Sequence, residues 1–177
     1  MIEQDHRTVE GLFTRYEAIR DSGTPQEKRQ IVDEFIKELS VHAAIEENVL
    51  YPAIRDEIAQ GDRKVDHSLQ EHQEAKEALA DLDKMDADDP TFDQKVATLM
   101  SEVRGHVEEE EGDILPKLRQ SASKARLRDL ARALRAEKKL APTRPHPHAP
   151  DRPPASMVAG KAAGVIDRLR DRVSGRT

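Results

Sequence analysis

The 177-residue chain has no cysteine and no tryptophan, and aromatic residues make up only 3% of it. Without cysteine there is no disulfide framework, no thiolate metal site and no cysteine nucleophile. So few aromatics exclude a sandwich or barrel of many short strands, which draws on aromatic and β-branched side chains. No run approaches the roughly 18 apolar residues of a membrane-spanning helix. The opening Met1-Ile2-Glu3-Gln4-Asp5-His6 lacks the basic and apolar stretches of a secretory signal, so the expected location is cytoplasmic.

Charge and helix formers take the place of what is missing. Charged residues are 36% of the chain, and Ala, Leu, Glu, Lys, Arg and Gln dominate. Those are strong helix formers, and the expectation is an all-α fold. The net charge of -6 is unevenly spread: residues 1–140 carry -10 and residues 141–177 carry +4. An acidic body argues against nucleic acid as a partner.

Apolar spacing of three and four residues predicts helices over about 5–20, 25–52 with a kinked continuation to 60, 65–85 and 91–118. Short turns between them suggest an up-down-up-down four-helix bundle. Thr24-Pro25 with Glu27 reads as an N-cap, a first-turn proline and a capping-box acid. A fifth helix over about 122–139 offers Leu127, Leu130 and Leu134 for packing and completes a bundle over 1–140. Residues 141–156 hold six prolines and read as an extended linker. Residues 157–177 form a basic amphipathic helix whose stripe is Val158, Ala162, Val165 or Ile166, Leu169 and Val173.

The chain also repeats itself. His42-Ala-Ala-Ile-Glu46-Glu47 aligns without gaps on His106-Val-Glu-Glu-Glu110-Glu111, and a proline, Pro52 or Pro116, follows each histidine by ten residues. Upstream of the two motifs stand Asp5-His6 and Glu71-His72. Two helical hairpins carrying the same polar triplet build a pseudo-twofold bundle. Helical spacing sets His6, His42, Glu46, His72, His106 and Glu110 on the apolar stripes, pointing inward.

A buried, unpaired carboxylate costs several kcal/mol, so these six side chains need a partner. A cation accepts the imidazole lone pairs and neutralises the carboxylates. His and Glu four apart on one face can share a centre or span two neighbouring ones. Two glutamates can each bridge a pair of cations, with two histidines capping each. An imidazole-rich set suits iron, with zinc and copper as competitors.

On these six residues the sequence resembles the hemerythrin-like (HHE cation-binding) family, whose signature is His…His-x3-Glu…His…His-x3-Glu. The likeness covers about residues 1–120, and the Pro-rich linker with its final helix resembles actinobacterial members. The resemblance implies a four-helix bundle holding two non-haem irons, oxo- or hydroxo-bridged. Oxygen-carrying members have a fifth histidine that has no obvious counterpart here. Two further candidates are His67, which periodicity sets off the inward stripe, and Tyr51, a phenolate ligand for ferric iron or a packing residue at the bundle end. Lys76 is expected to pair with a glutamate of the site or to snorkel outward, and Glu47 and Glu111 to be solvated or to support ligands. His146 and His148 fall in the linker.

The leading expectation is a di-iron protein that binds or reacts with O2 or hydrogen peroxide, with catalase-like turnover and a role in oxidative or nitrosative stress. The alternative is a module that senses iron, oxygen or nitric oxide without turnover, its C-terminal helix docking on the body or on a second subunit. A metal-free interaction domain comes third.

Overall fold

The computed structural model describes residues 1–151 and 153–174, with side chains described up to residue 171; the expected helical residues 175–177 and the side chain of Val173 lie outside these. Helices α1 (Ile2–Ile19), α2 (Pro25–Ile45), α3 (Tyr51–Glu57), α4 (Gly61–Lys84), α5 (Phe92–Glu109), α6 (Leu115–Ser121), α7 (Lys124–Lys138) and α8 (Ala155–Ser174) follow in order. The fold is all-α. α1 packs on α2, α4 on α5, and α2 with α3 on α4, which makes α1, α2–α3, α4 and α5–α6 the four members of the bundle.

Local chemistry accounts for the helix ends. Thr24 Oγ1 accepts from the Glu27 amide at 3.3 Å while Glu27 Oε2 accepts from the Thr24 amide at 2.8 Å, and Pro25 opens α2 where no amide is needed. α4 begins at Gly61, four residues before the predicted start. Gln60 takes a left-handed conformation (φ 62°), and Gly61 then passes so close to the Ile54 carbonyl that a Cβ would collide with it.

Sequence periodicity did not foresee what happens inside the two motif helices. Residues Glu46–Leu50 and Glu110–Ile114 are each one turn of π-helix, so α2 runs into α3, and α5 into α6, through a widened turn. The amide of Tyr51 donates to the Glu46 carbonyl and that of Leu115 to the Glu110 carbonyl, each five residues back. Pro52 and Pro116 explain the widening. A proline inside an α-helix has no amide to give and its ring presses on the carbonyl four residues earlier; an extra residue in the preceding turn relieves both.

The apolar interior is in two parts. One is built on Phe13, Tyr16, Phe35, Leu79, Leu82, Phe92 and Leu99, with Phe13 and Phe35 edge to face at 5.5 Å. The other gathers Ile45, Leu50, Ile54, Val65, Ile114, Leu118, Leu130 and Leu134, so α7 covers that end of the bundle. Between them lies a polar layer.

The C-terminal segment departs from expectation. Residues 141–144 are buried against the bundle and do not form a free spacer. Arg144 donates to Asp83 of α4 at 2.9 Å and to Asp171 of α8 at 2.8 Å. Asp167 accepts from the backbone amides of Thr143 and Arg144, and Ser156 Oγ donates to Asn48 Oδ1 at 2.6 Å. The predicted apolar stripe of α8 faces solvent, with Val158 at 72% and Ile166 at 64% exposure. The buried side of α8 is Ser156, Gly164 and Asp167, because the helix meets Asn48, the amides of Thr143 and Arg144, and a Leu140–Ala141 backbone too close for any side chain at Gly164.

Candidate metal centre

The polar layer receives one or two side chains from each member of the bundle. His6 comes from α1, His42 from the last turn of α2, Glu46 from the first π turn, His72 from α4, His106 from the last turn of α5 and Glu110 from the second π turn. All six are buried, the two glutamates almost completely. The sequence-predicted set is thus brought together in two overlapping groups. His6, His42, Glu46 and Glu110 present ligand atoms within 4.8 Å of one another, as do Glu46, His72 and His106.

The imidazoles face each other through their ε nitrogens. His6 Nε2 and His42 Nε2 are 3.1 Å apart, and His72 Nε2 and His106 Nε2 are 3.4 Å apart. Glu46 reaches across both groups: Oε1 lies 3.1 Å from His42 Nε2 and Oε2 lies 3.3 Å from His72 Nε2. Glu110 Oε2 lies 3.2 Å from His6 Nε2.

The outer nitrogens are held by carboxylates. His6 Nδ1 donates to Glu111 at 2.7 Å, His72 Nδ1 to Glu47 at 3.0 Å and His106 Nδ1 to Glu71 at 2.9 Å. A proton fixed on Nδ1 leaves the Nε2 lone pair aimed inward, which is the tautomer a cation requires. Lys76 in turn holds Glu47 at 2.6 Å. Glu47 and Glu111 each stand one residue after the buried glutamate of their own motif and support a histidine of the opposite hairpin. The pseudo-symmetry breaks at His42, whose Nδ1 has no hydrogen-bond partner among the described residues, while Asp5, the counterpart of Glu71, pairs with Lys138 instead.

Electrostatics follow the same asymmetry. Burial and the neighbouring histidines push His42 down to about 4 despite the pull of Glu46. His106 is opposed by burial too, but hydrogen bonding to Glu46 and Glu71 outweighs it and lifts the imidazole to about 10. Burial, and then the charge of Glu46, raise Glu110 to about 7. Glu46 is held well below the usual carboxylate range because the surrounding imidazoles overcome its desolvation.

Among the described residues, Glu46 Oε1 and both oxygens of Glu110 have no well-aligned hydrogen-bond donor, their close neighbours being imidazole ε nitrogens. Unsatisfied carboxylate oxygens at this depth, set against converging imidazole lone pairs, are costly in a protein-only core and fit a positive ion placed among them.

Tyr51 lies beside the second group. Its hydroxyl is 2.9 Å from His72 Nε2 and 3.4 Å from Glu46 Oε2. Helical periodicity puts residues five apart on different faces; the π turn stacks Tyr51 on Glu46, which explains its position. Leu115 occupies the matching place in the second repeat. His67 stays outside both groups, exposed, 3.5 Å from Glu71 and from Glu109. Glu71 was not singled out as a support for His106; its signal in the sequence was only its place directly before His72. His146 pairs with Asp167 at 3.0 Å, away from the layer.

Fold and site together define a class: a four-helix bundle that turns histidines and glutamates from all its members into one buried, cation-suited layer. Residues 1–118 match the family described as the hemerythrin HHE cation binding domain. The chain belongs to that family, and membership implies binding of a metal cation, iron being the metal the family points to. An uncharacterized hemerythrin-like protein of Schizosaccharomyces pombe is 32% identical over 171 residues, which span 96% of this chain and 83% of the relative. A Nostoc protein named DNA nickase is 30% identical over 138 residues; the match spans 78% of this chain but 38% of that protein. Among solved structures, a hemerythrin HHE cation-binding-domain protein from Mycobacterium kansasii aligns with a TM-score of 0.64 at 21% identity, over 78% of this chain and 82% of that one, a likeness of fold.

Proposed function

We propose that the chain is a non-haem di-iron protein that binds or reacts with O2 or hydrogen peroxide, with catalase-like turnover. The observation that carries this is the set of undonated Glu46 and Glu110 oxygens facing four imidazole ε nitrogens. In this reading His6, His42, Glu46 and Glu110 hold one iron, and Glu46, His72 and His106 hold the other. When bound, a pair of irons supplies the one-electron redox steps that O2 and peroxide chemistry need. Disproportionation of peroxide to water and O2 balances without any other reductant.

The protein's own part is to shape and dry the place. A cavity of about 140 Å³ opens beside the layer, lined by His6, His42, His72 and His106 and walled by Val9, Leu39, Leu79 and Val103. Glu47, Glu71 and Glu111 keep the imidazole rings turned for binding. Chains purified without a tag from iron-supplemented cells are expected to hold about two irons each, and to lose peroxide-decay activity when the iron is chelated. Chains that stay free of iron and take up no ferrous ion anaerobically would overturn the reading.

Tyr51 completes the second group in the same proposal. Burial, with the charges of Glu46, Glu110 and Glu47, pushes its phenol well above the ordinary value, so without a cation it keeps its proton. With a ferric ion held by Glu46, His72 and His106, the local field would change sign and Tyr51 would favour its phenolate form. The ferric protein should therefore show a visible phenolate-to-iron absorption band, and Tyr51→Phe should remove the band at unchanged iron content. A band that survives in Tyr51→Phe would exclude Tyr51 as a ligand.

A further inference from the structure

Outside the buried layer, one imidazole and two carboxylates converge on the surface between α4 and α5. His67, Glu71 and Glu109 bring ligand atoms within 4.8 Å of one another. His67 Nε2 lies 3.5 Å from Glu71 Oε1 and 3.5 Å from Glu109 Oε2. One nitrogen and two oxygen donors at this spacing suit a divalent first-row cation whose other positions are filled by water.

Charged surface alone would carry no meaning, but Glu71 makes this cluster continuous with the buried layer and with the cavity beside it. Glu71 is shared between them: Oε1 faces His67, while Oε2 accepts from His106 Nδ1 at 2.9 Å. Glu71 also lines the 140 Å³ cavity, along with exposed Glu74 and Glu102. The inner wall of that cavity is His6, His42, His72 and His106, next to buried carboxylate oxygens that have no donor. Glu71, Glu74 and Glu102 line the cavity together with Lys76, which Glu47 holds, and Glu71 joins the cavity to the ligand cluster at its edge. Carboxylates around an opening raise the local concentration of cations and speed their arrival.

We propose that His67, Glu71 and Glu109 form a surface site for a divalent cation, ferrous ion in the working protein, and that this site feeds the buried centre through the adjoining cavity. The inference rests on the iron reading above. The side chains of His67 and Glu109 lie outside the two buried groups, although Glu109 is the chain neighbour of Glu110, so substituting them leaves all six buried side chains in place.

The test compares the full-length chain with its H67A/E109Q variant, both stripped of metal. Each is mixed anaerobically with ferrous ion, and uptake is timed by competition with a coloured ferrous chelator; final iron per chain is then measured. The variant should load roughly 10-fold more slowly and reach the same final content. In a second arm, iron-loaded protein is titrated with manganous ion and followed by electron paramagnetic resonance. The parent chain should bind a further, weaker Mn2+ that the variant does not. Equal uptake rates at full loading, or no Mn2+ site in the parent, would overturn the surface site and leave the buried centre standing. Failure of both proteins to retain iron would overturn the surface site and the iron reading together.

Discussion

Glu46→Ala is expected to empty the whole centre, whereas Glu110→Ala should empty half of it. The difference lies in reach. Glu46 puts one oxygen 3.1 Å from His42 and the other 3.3 Å from His72, so its carboxylate serves both groups. Glu110 belongs only with His6, His42 and Glu46. Iron per chain, measured after anaerobic reconstitution, should fall from about two to none in Glu46→Ala and to about one in Glu110→Ala. Circular dichroism of both variants confirms that the helices persist. Equal iron retention by the two variants would remove Glu46 from its bridging role.

Cation binding should also release protons and strengthen steeply with rising pH. In the metal-free protein His106, at about 10, carries a proton at pH 7, and His6 and His72 are raised as well, since their carboxylate partners outweigh the effect of burial. Glu110, at about 7, is still partly protonated there. A cation must displace these protons to reach the lone pairs. His42, already neutral with its value lowered to about 4, contributes none. The His106 proton makes the apparent affinity rise ~10-fold per pH unit up to about pH 10, and the Glu110 proton adds to that slope below about pH 7. Titration calorimetry with Co2+ in buffers of different ionisation heat gives the number released; a pH-independent affinity would contradict this account. The metal-free fold runs the other way. A raised imidazole stabilises it fully below the ordinary histidine value, and that contribution fades as pH climbs through about 10.

How much of this was readable beforehand depends on what each residue's position relied on. The bundle and its inward-facing histidines follow from spacings of three and four along uninterrupted α-helix, and those helices are present. Tyr51 lies just past a π turn, where counting by 3.6 residues loses its place, so the sequence left it between ligand and end-packing. The prolines at 52 and 116 were visible, but the first signalled only a kink and the second only a helix near its end, without saying that an extra residue would be inserted ahead of them. Glu71 supports His106 across 35 positions, a pairing that no local pattern announces. The final helix misled for another reason. Its apolar stripe suggested a packing face, yet Asn48, the amides of Thr143 and Arg144 and the close backbone at Gly164 favour its small and polar side instead. Propensity described that helix correctly and its orientation wrongly, because orientation belonged to the surface it met.

The division of the interior into two apolar halves has a mechanical meaning. In most small bundles one continuous core ties every helix to every other; here the plane between the halves is made of groups that would sooner be in water. Without a metal's charge in it, that plane is the natural seam along which the four members can come apart. With the charge in place it becomes a rivet, since anything that binds only the folded form raises its stability in step with its own concentration. Supply of the metal then governs how long the folded chain lasts as well as what it can react with.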